Sequence, residues 1–255
     1  MKTVAANIAH PLIRLALPLG LALAAMLILS GSAAAQNLSL DFGDDTTATA
    51  RIVQLVALLT VLSLAPSIII MVTSFTRIVV VLAFLRSAIG TQQTPPNTVI
   101  VSLALFLTAF VMAPTFETAF QEGIQPLIEE QITQTEAFER SMAPVKVFML
   151  THVRDQDLRL FLDLAEIDAI DEPEATPLRA LIPAFMISEL RRAFEIGFLL
   201  FIPFVIIDMV VASILMSMGM MMLPPIMISL PFKLIFFVLV DGWYLVAGSL
   251  VQSFG

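Results

Sequence analysis

Arg51 and Arg77 are separated by 25 residues that carry no charge. A run of that length and polarity has few ways to fold. It exceeds the roughly 20 apolar residues that cross a bilayer as a helix, and inside hydrocarbon only helices and closed barrels satisfy the backbone. Three more apolar stretches follow: Thr98–Met112, Phe194–Leu215 and Ile226–Leu250. The composition agrees. Hydrophobic residues make up 58% of the chain and charged residues 13%, with a mean hydropathy of +0.95, against about 25% charged in a soluble domain. The expected fold is an all-α integral membrane protein of four spans, arranged as broken helical hairpins plus a small helical extracytoplasmic domain.

The N-terminus reads as an address. Lys2 and Arg14 precede an apolar run, Leu15–Leu29, and small residues follow from Gly31 to Ala35. That is the layout of a secretory signal peptide, with the cleavage motif at Ala33 and Ala35. Residues 1–35 are expected to be removed, which takes the net charge from -8 to -10. Residues 36–51 then form an acidic extracytoplasmic segment. Residues 52–116 form a first helix pair. Its connecting stretch carries Arg77 and Arg86 and is broken by Gly90 and Pro95-Pro96, so it is expected to be a basic cytoplasmic loop.

Residues 117–183 differ from the rest. Glu117–Arg179 holds 14 acidic and five basic residues, which fits an acidic helical domain outside the membrane. Leu158, Phe161, Leu162 and Ala165 recur at helical spacing, and Ser141 followed by Pro144 is expected to start a helix. The run Asp168-Asp171-Glu172-Glu174 reads as a solvated loop. Residues 184–255 form the second helix pair. Arg191-Arg192 then sits on the outer side against the usual charge bias, and local pairing with Glu189 and Glu195 is the expected compensation.

The second pair turns on one stretch, DMVVASILMSMGMMMLPPIMISLPFK, from Asp208 to Lys233. Gly219 is expected to end one helix and Pro225 to begin the next. Counting outward from the methionine triplet, Asp208 lies 12 residues before Met220 and Lys233 lies 11 after Met222. The two charges therefore fall at similar depth on facing arms, and each needs a partner in an apolar setting. Their pairing is read either as structural or as proton-responsive. Met220, Met221 and Met222 are read either as packing at a turn or as a loop that seals a space. Three consecutive methionines cannot share one helix face, and Met is soft enough to fit varied surfaces. Asp241, Glu189 and Arg191 are candidate interface charges.

Several chemistries are excluded or left thin. With no cysteine there is no disulfide, thiolate ligand or cysteine nucleophile. After signal removal His152 is the only histidine, so no metal site or other cofactor is expected. No basic run suggests nucleic acid, and no catalytic residues are assigned. Three functions compete. One is a protein-export channel, the second a proton or small-solute channel using Asp208 and Lys233. The third is an intramembrane hydrolase built on Ser229 and Lys233, whose i,i+4 spacing arises by chance in any apolar helix.

Three segments carry a resemblance. MVTSFTRIVVVLAFLRSAIGTQQTPPN (Met71–Asn97), IPAFMISELRRAFEIGF (Ile182–Phe198) and GMMMLPPIMISLPFKLIFFVLVDGW (Gly219–Trp243) resemble the flagellar biosynthetic protein FliP family. Arg191-Arg192 departs from the family pattern, where one basic residue is followed by a small or polar one. Virulence-secretion relatives share much of these segments, while the cleavable signal is closer to the flagellar branch. The resemblance implies a non-enzymatic core subunit of the type III export gate, in the bacterial cytoplasmic (inner) membrane at the flagellar basal body. It implies assembly into a helical, pseudo-hexameric ring of several copies with the R subunit, wrapped by Q subunits and joined by other export-gate membrane proteins. Unfolded flagellar rod, hook and filament proteins would pass through its centre, driven by the proton motive force and an ATPase elsewhere. Met220–Met222 match the family's gasket. The assembled gate would stand largely outside the bilayer level.

Overall fold

The computed structural model describes residues 48–91, 93–167, 173–220 and 223–255. The expected signal peptide, the cleavage residues Ala33 and Ala35, the run 168–172, and Met221 and Met222 lie outside the described residues. Among the described residues the protein is all helical, with no strand. The chain divides into two units, Met1–Leu58 and Leu59–Gly255. The first contributes the beginning of helix α1 (Ala48–Met71). The second holds the rest of α1 and every later element.

Helix α1 runs through Pro66, and its apolar side chains, Ile52, Leu59, Leu62 and Ile69 among them, are exposed. The chain then breaks at residues 72–74 and re-enters helix α2 (Phe75–Ile89). This corrects the expected basic loop. Most of that stretch is a core helix, and only residues 90–96 connect it to α3 (Asn97–Ala119). Gly90 closes α2 at φ 87°, a conformation glycine adopts without strain.

Helix α2 is buried because its apolar residues cover nearly its whole surface. Ile78, Val81, Leu82, Leu85 and Ala88 meet Ile100 and Ala104 of α3. They also meet Ala193 and Phe204 of the long helix α7 (Leu178–Ser217). Phe237 of α8 (Pro225–Leu239) and Val246 and Leu250 of α9 (Gly242–Gln252) complete this core. At Gly197 the α2–α7 crossing is tight, since a Cβ there would lie 2.6 Å from the Phe84 ring.

Helix α3 passes through Pro114 and continues by a π-turn (Phe120–Ile124) into the short α4 (Gln125–Ile128). Buried Gly123 lets the π-turn press on the next helix, where a Cβ would come within 2.7 Å of the Ala137 carbonyl. That helix, α5 (Gln134–His152), begins earlier than expected. Thr133 caps it by accepting the Glu136 N–H at 3.3 Å, so the start is a Thr-x-x-Glu signature rather than Ser141. Helix α6 (Asp155–Leu164) follows the expected spacing. A second core joins Val145 and Met149 of α5 to Leu181 and Phe185 of α7.

Helix α7 departs from the expected broken hairpin, since it continues unbroken through Pro183 and Pro203. At 40 residues it spans about 60 Å at 1.5 Å per residue. The fourth apolar stretch does break, at Val240-Asp241, while Pro231 lies inside α8, and α8 and α9 diverge by 62°. Among the described residues, three helices are long and apolar enough to cross a membrane, or four if α8 and α9 make one bent span.

Candidate functional site

The turn between α7 and α8 sits where the glycine and prolines put it. Helix α7 ends at Ser217, Gly219 adopts φ 73°, and α8 starts at Pro225. Gly219 N–H donates to the Met216 carbonyl at 3.1 Å and Met220 N–H to the Leu215 carbonyl at 3.0 Å. This crossed pair is a Schellman closure, which satisfies carbonyls that a helix end leaves open. Met216, Met218 and Met220 are exposed around it, and Met227 is exposed at the start of α8. Of the triplet, Met220 alone is described.

Below the turn, the two arms carry their charges to one point. Lys233 Nζ lies 2.6 Å from Asp208 Oδ2, with side-chain exposures of 7% and 32%. Ser229 donates to Asp208 Oδ1 at 2.5 Å, and Lys233 Nζ also donates to the Ala88 carbonyl at 3.3 Å. Sequence reasoning identified the pair but not the role of Ser229 or of Ala88. The Ser229 position, one turn before Lys233 on an apolar helix, was the available signal. The same geometry argues against hydrolysis by Ser229. In a Ser–Lys pair the lysine must take the serine's proton, whereas the Ser229 hydroxyl donates to Asp208 and the Lys233 nitrogen is engaged by Asp208 and Ala88.

The second charge site was missed in the sequence. Arg77 on α2 and Glu189 on α7 form a buried pair, 1% and 0% exposed. Arg77 Nε donates to Glu189 Oε2 at 2.8 Å, and Nη2 donates to Oε1. The remaining terminal nitrogen, Nη1, donates to the Ser253 carbonyl at 2.9 Å and to Ser253 Oγ at 3.0 Å. The Phe254 ring covers the guanidinium, 3.7 Å from its carbon to the ring centre. Glu189 is thus not a surface charge on this chain and does not pair with Arg191. The detectable signal was Arg77 itself, a lone cation in an apolar run that needs a buried partner.

The other assigned charges are dispersed. Arg191 is exposed and pairs with Glu195 at 2.9 Å, as the i,i+4 spacing suggested. Asp241 is exposed at the α8–α9 bend, with φ 51°, and its side chain makes no capping bond. Ser188 ties α7 to α6. Its hydroxyl accepts the Arg154 N–H at 3.0 Å and lies 2.7 Å from Asp157 Oδ2. Among the described residues no group of His, Asp and Glu is arranged to hold a metal ion.

Comparison with known proteins adds a lineage to this geometry. The family model described as FliP family matches residues 58–250. The chain is 61% identical over 254 residues to the flagellar biosynthetic protein FliP of Caulobacter vibrioides, covering 99% of this chain and 96% of that protein. It is 57% identical over 202 residues to the protein of the same description from Bacillus subtilis, covering 79% and 91%. A third such relative, from Aquifex aeolicus, is 57% identical over 204 residues, covering 79% and 85%.

Proposed function

The chain belongs to the FliP family, and from that premise we propose that it is a channel-forming core subunit of a flagellar protein export gate. In this reading it sits in the bacterial inner membrane at the flagellar basal body. Several copies join an R subunit in a ring, Q subunits wrap that ring, and unfolded flagellar proteins pass through it. The acidic helices α5 and α6 stand on the outer side. The methionine turn closes the passage.

One observation supports assembly most directly. The exposed apolar side chains of α7 extend from Ile187 to Met216, about 44 Å along the axis at 1.5 Å per residue. A hydrocarbon core is only about 30 Å thick. A tilt large enough to hide that band would exceed the usual limit of about 40°. Exposed Arg191 and Arg192 also interrupt it near one end. Lipid alone does not suit such a surface, and packed subunits do.

The methionine turn supports the sealing role by its exposure and composition. Soft thioether side chains exclude water and ions yet deform around a passing chain of any sequence. The rival proton or small-solute channel would use Asp208 and Lys233. Engagement of that pair by Ser229 and Ala88 favours a structural role for it.

The test is to replace Met220, Met221 and Met222 together with Ala and record secretion and membrane leak in the same cells. Export retained with a new ion leak is the expected result. Tight membranes with normal export would reduce the triplet to ordinary packing.

A further inference from the structure

We propose that α8 and α9 form an arm hinged at Asp241-Gly242 and latched by Ser253 and Phe254 onto the buried Arg77–Glu189 pair. The inference does not depend on the export reading. It starts from the guanidinium. Arg has five N–H donors in a rigid fork and no way to shed its charge. At 1% exposure, Arg77 must find every acceptor within the protein. Among the described residues, Glu189 serves Nε and Nη2, and only Ser253 serves Nη1, through its carbonyl and hydroxyl. The face of the same group is covered by Phe254 at 3.7 Å. Both acceptors of Nη1 are therefore in place only when the end of α9 is docked.

Phe254 reaches a third element as well. Its ring lies 5.3 Å from the His152 ring and 6.1 Å from the Phe148 ring, both on α5. Two consecutive residues thus join α2 and α5, and through Arg77 they bear on Glu189 of α7. The acidic helix α5 and the bent pair meet at this point.

The other end of α9 has the features of a hinge. Asp241 occupies the left-handed region at φ 51°, which L-residues with a side chain rarely adopt. Its carboxylate makes no local capping bond to hold that conformation. Gly242 follows, and the Phe237 ring fills the space where a Cβ would stand, 2.1 Å away. Trp243 packs edge-on against the same ring at 5.4 Å. The 62° bend is set by contacts at both ends of α9 and not by local preference at Asp241. Losing the latch removes one of those two supports.

The absence of cysteine makes a clean distance measurement available. Spin labels at Gln252→Cys and Arg159→Cys, both exposed positions, report the gap between α9 and α6. A second pair at Met209→Cys and Met227→Cys spans α7 and α8. Full-length protein in nanodiscs, diluted with unlabelled copies, should give one narrow distance for each pair. Phe254→Ala should broaden and lengthen the 159–252 distance and leave the 209–227 distance unchanged. Phe254→Tyr, which keeps the ring face, should restore the narrow distance. An unchanged 159–252 distance in Phe254→Ala overturns the latch. So does simultaneous broadening of both pairs, which would make Phe254 a general packing residue.

Discussion

Removal of the Arg77 charge is the sharpest stability test the fold offers. Arg77→Met keeps most of the stem volume and deletes the fork. Glu189, fully buried, then loses both of its Arg77 bonds, and the Ser253 carbonyl loses a charged donor. Removing one partner of a buried ion pair costs about 3–5 kcal/mol, because the other charge stays buried without compensation. In a chain of this size each kcal/mol lowers Tm by roughly 2–4 °C, so the expected drop is about 6–20 °C. Adding Glu189→Leu should recover most of it, since an apolar replacement of a whole buried pair is often neutral. Trp243 is the single tryptophan and packs against Phe237, so its intrinsic fluorescence reports melting of the core without a label. A single variant within about 2 °C of the parent would refute the magnitude, which rests on an uncompensated buried carboxylate. A double variant no better than the single would refute the pairing.

Further outcomes concern the second charge pair and the tight helix crossing. Asp208→Ala should destabilise the protein by about 3 kcal/mol and reduce export, because the Lys233 ammonium is left buried beside Ala88. Asp208→Lys with Lys233→Asp should restore export only in part, since a carboxylate at 233 would face the Ala88 carbonyl; no recovery at all in a secretion assay would count against the pair. Gly197→Ala should cost about 1–3 kcal/mol by forcing Phe84 aside, and Phe84→Leu in the same chain should relieve it, both read as Tm from Trp243.

Much of the second helix pair was legible because punctuation and charge act locally. Gly219 and Pro225 bound the turn at the residues expected. Asp208 and Lys233 meet because a fold-back about the turn makes their depths equal. Proline breaks neither arm of this pair. Pro66, Pro114, Pro144, Pro183, Pro203 and Pro231 all lie inside helices, where neighbouring packing tolerates the missing hydrogen bond. The real break, at Asp241, carries no proline and takes a conformation that packing imposes. Arg77 and Glu189 stand 112 positions apart. Nearby Arg191 offered a local partner, so sequence spacing pointed to the wrong pair, and only the α2–α7 crossing brings the right one together. The start of α5 was legible in principle, since Thr133 and Glu136 carry the capping pattern.

The Schellman closure at the end of α7 separates stiffness from compliance. Its two crossed hydrogen bonds fix the backbone rim at Gly219 and Met220, while the side chains of Met216, Met218 and Met220 extend from that rim as unbranched thioethers, each with three rotatable bonds. A load applied to the turn is therefore absorbed by torsion, one side chain at a time, before either hydrogen bond has to break. Deformation of this kind is elastic. The framework keeps its shape, and the soft layer returns to rest on the nanosecond scale of exposed rotamer motion once the load has passed.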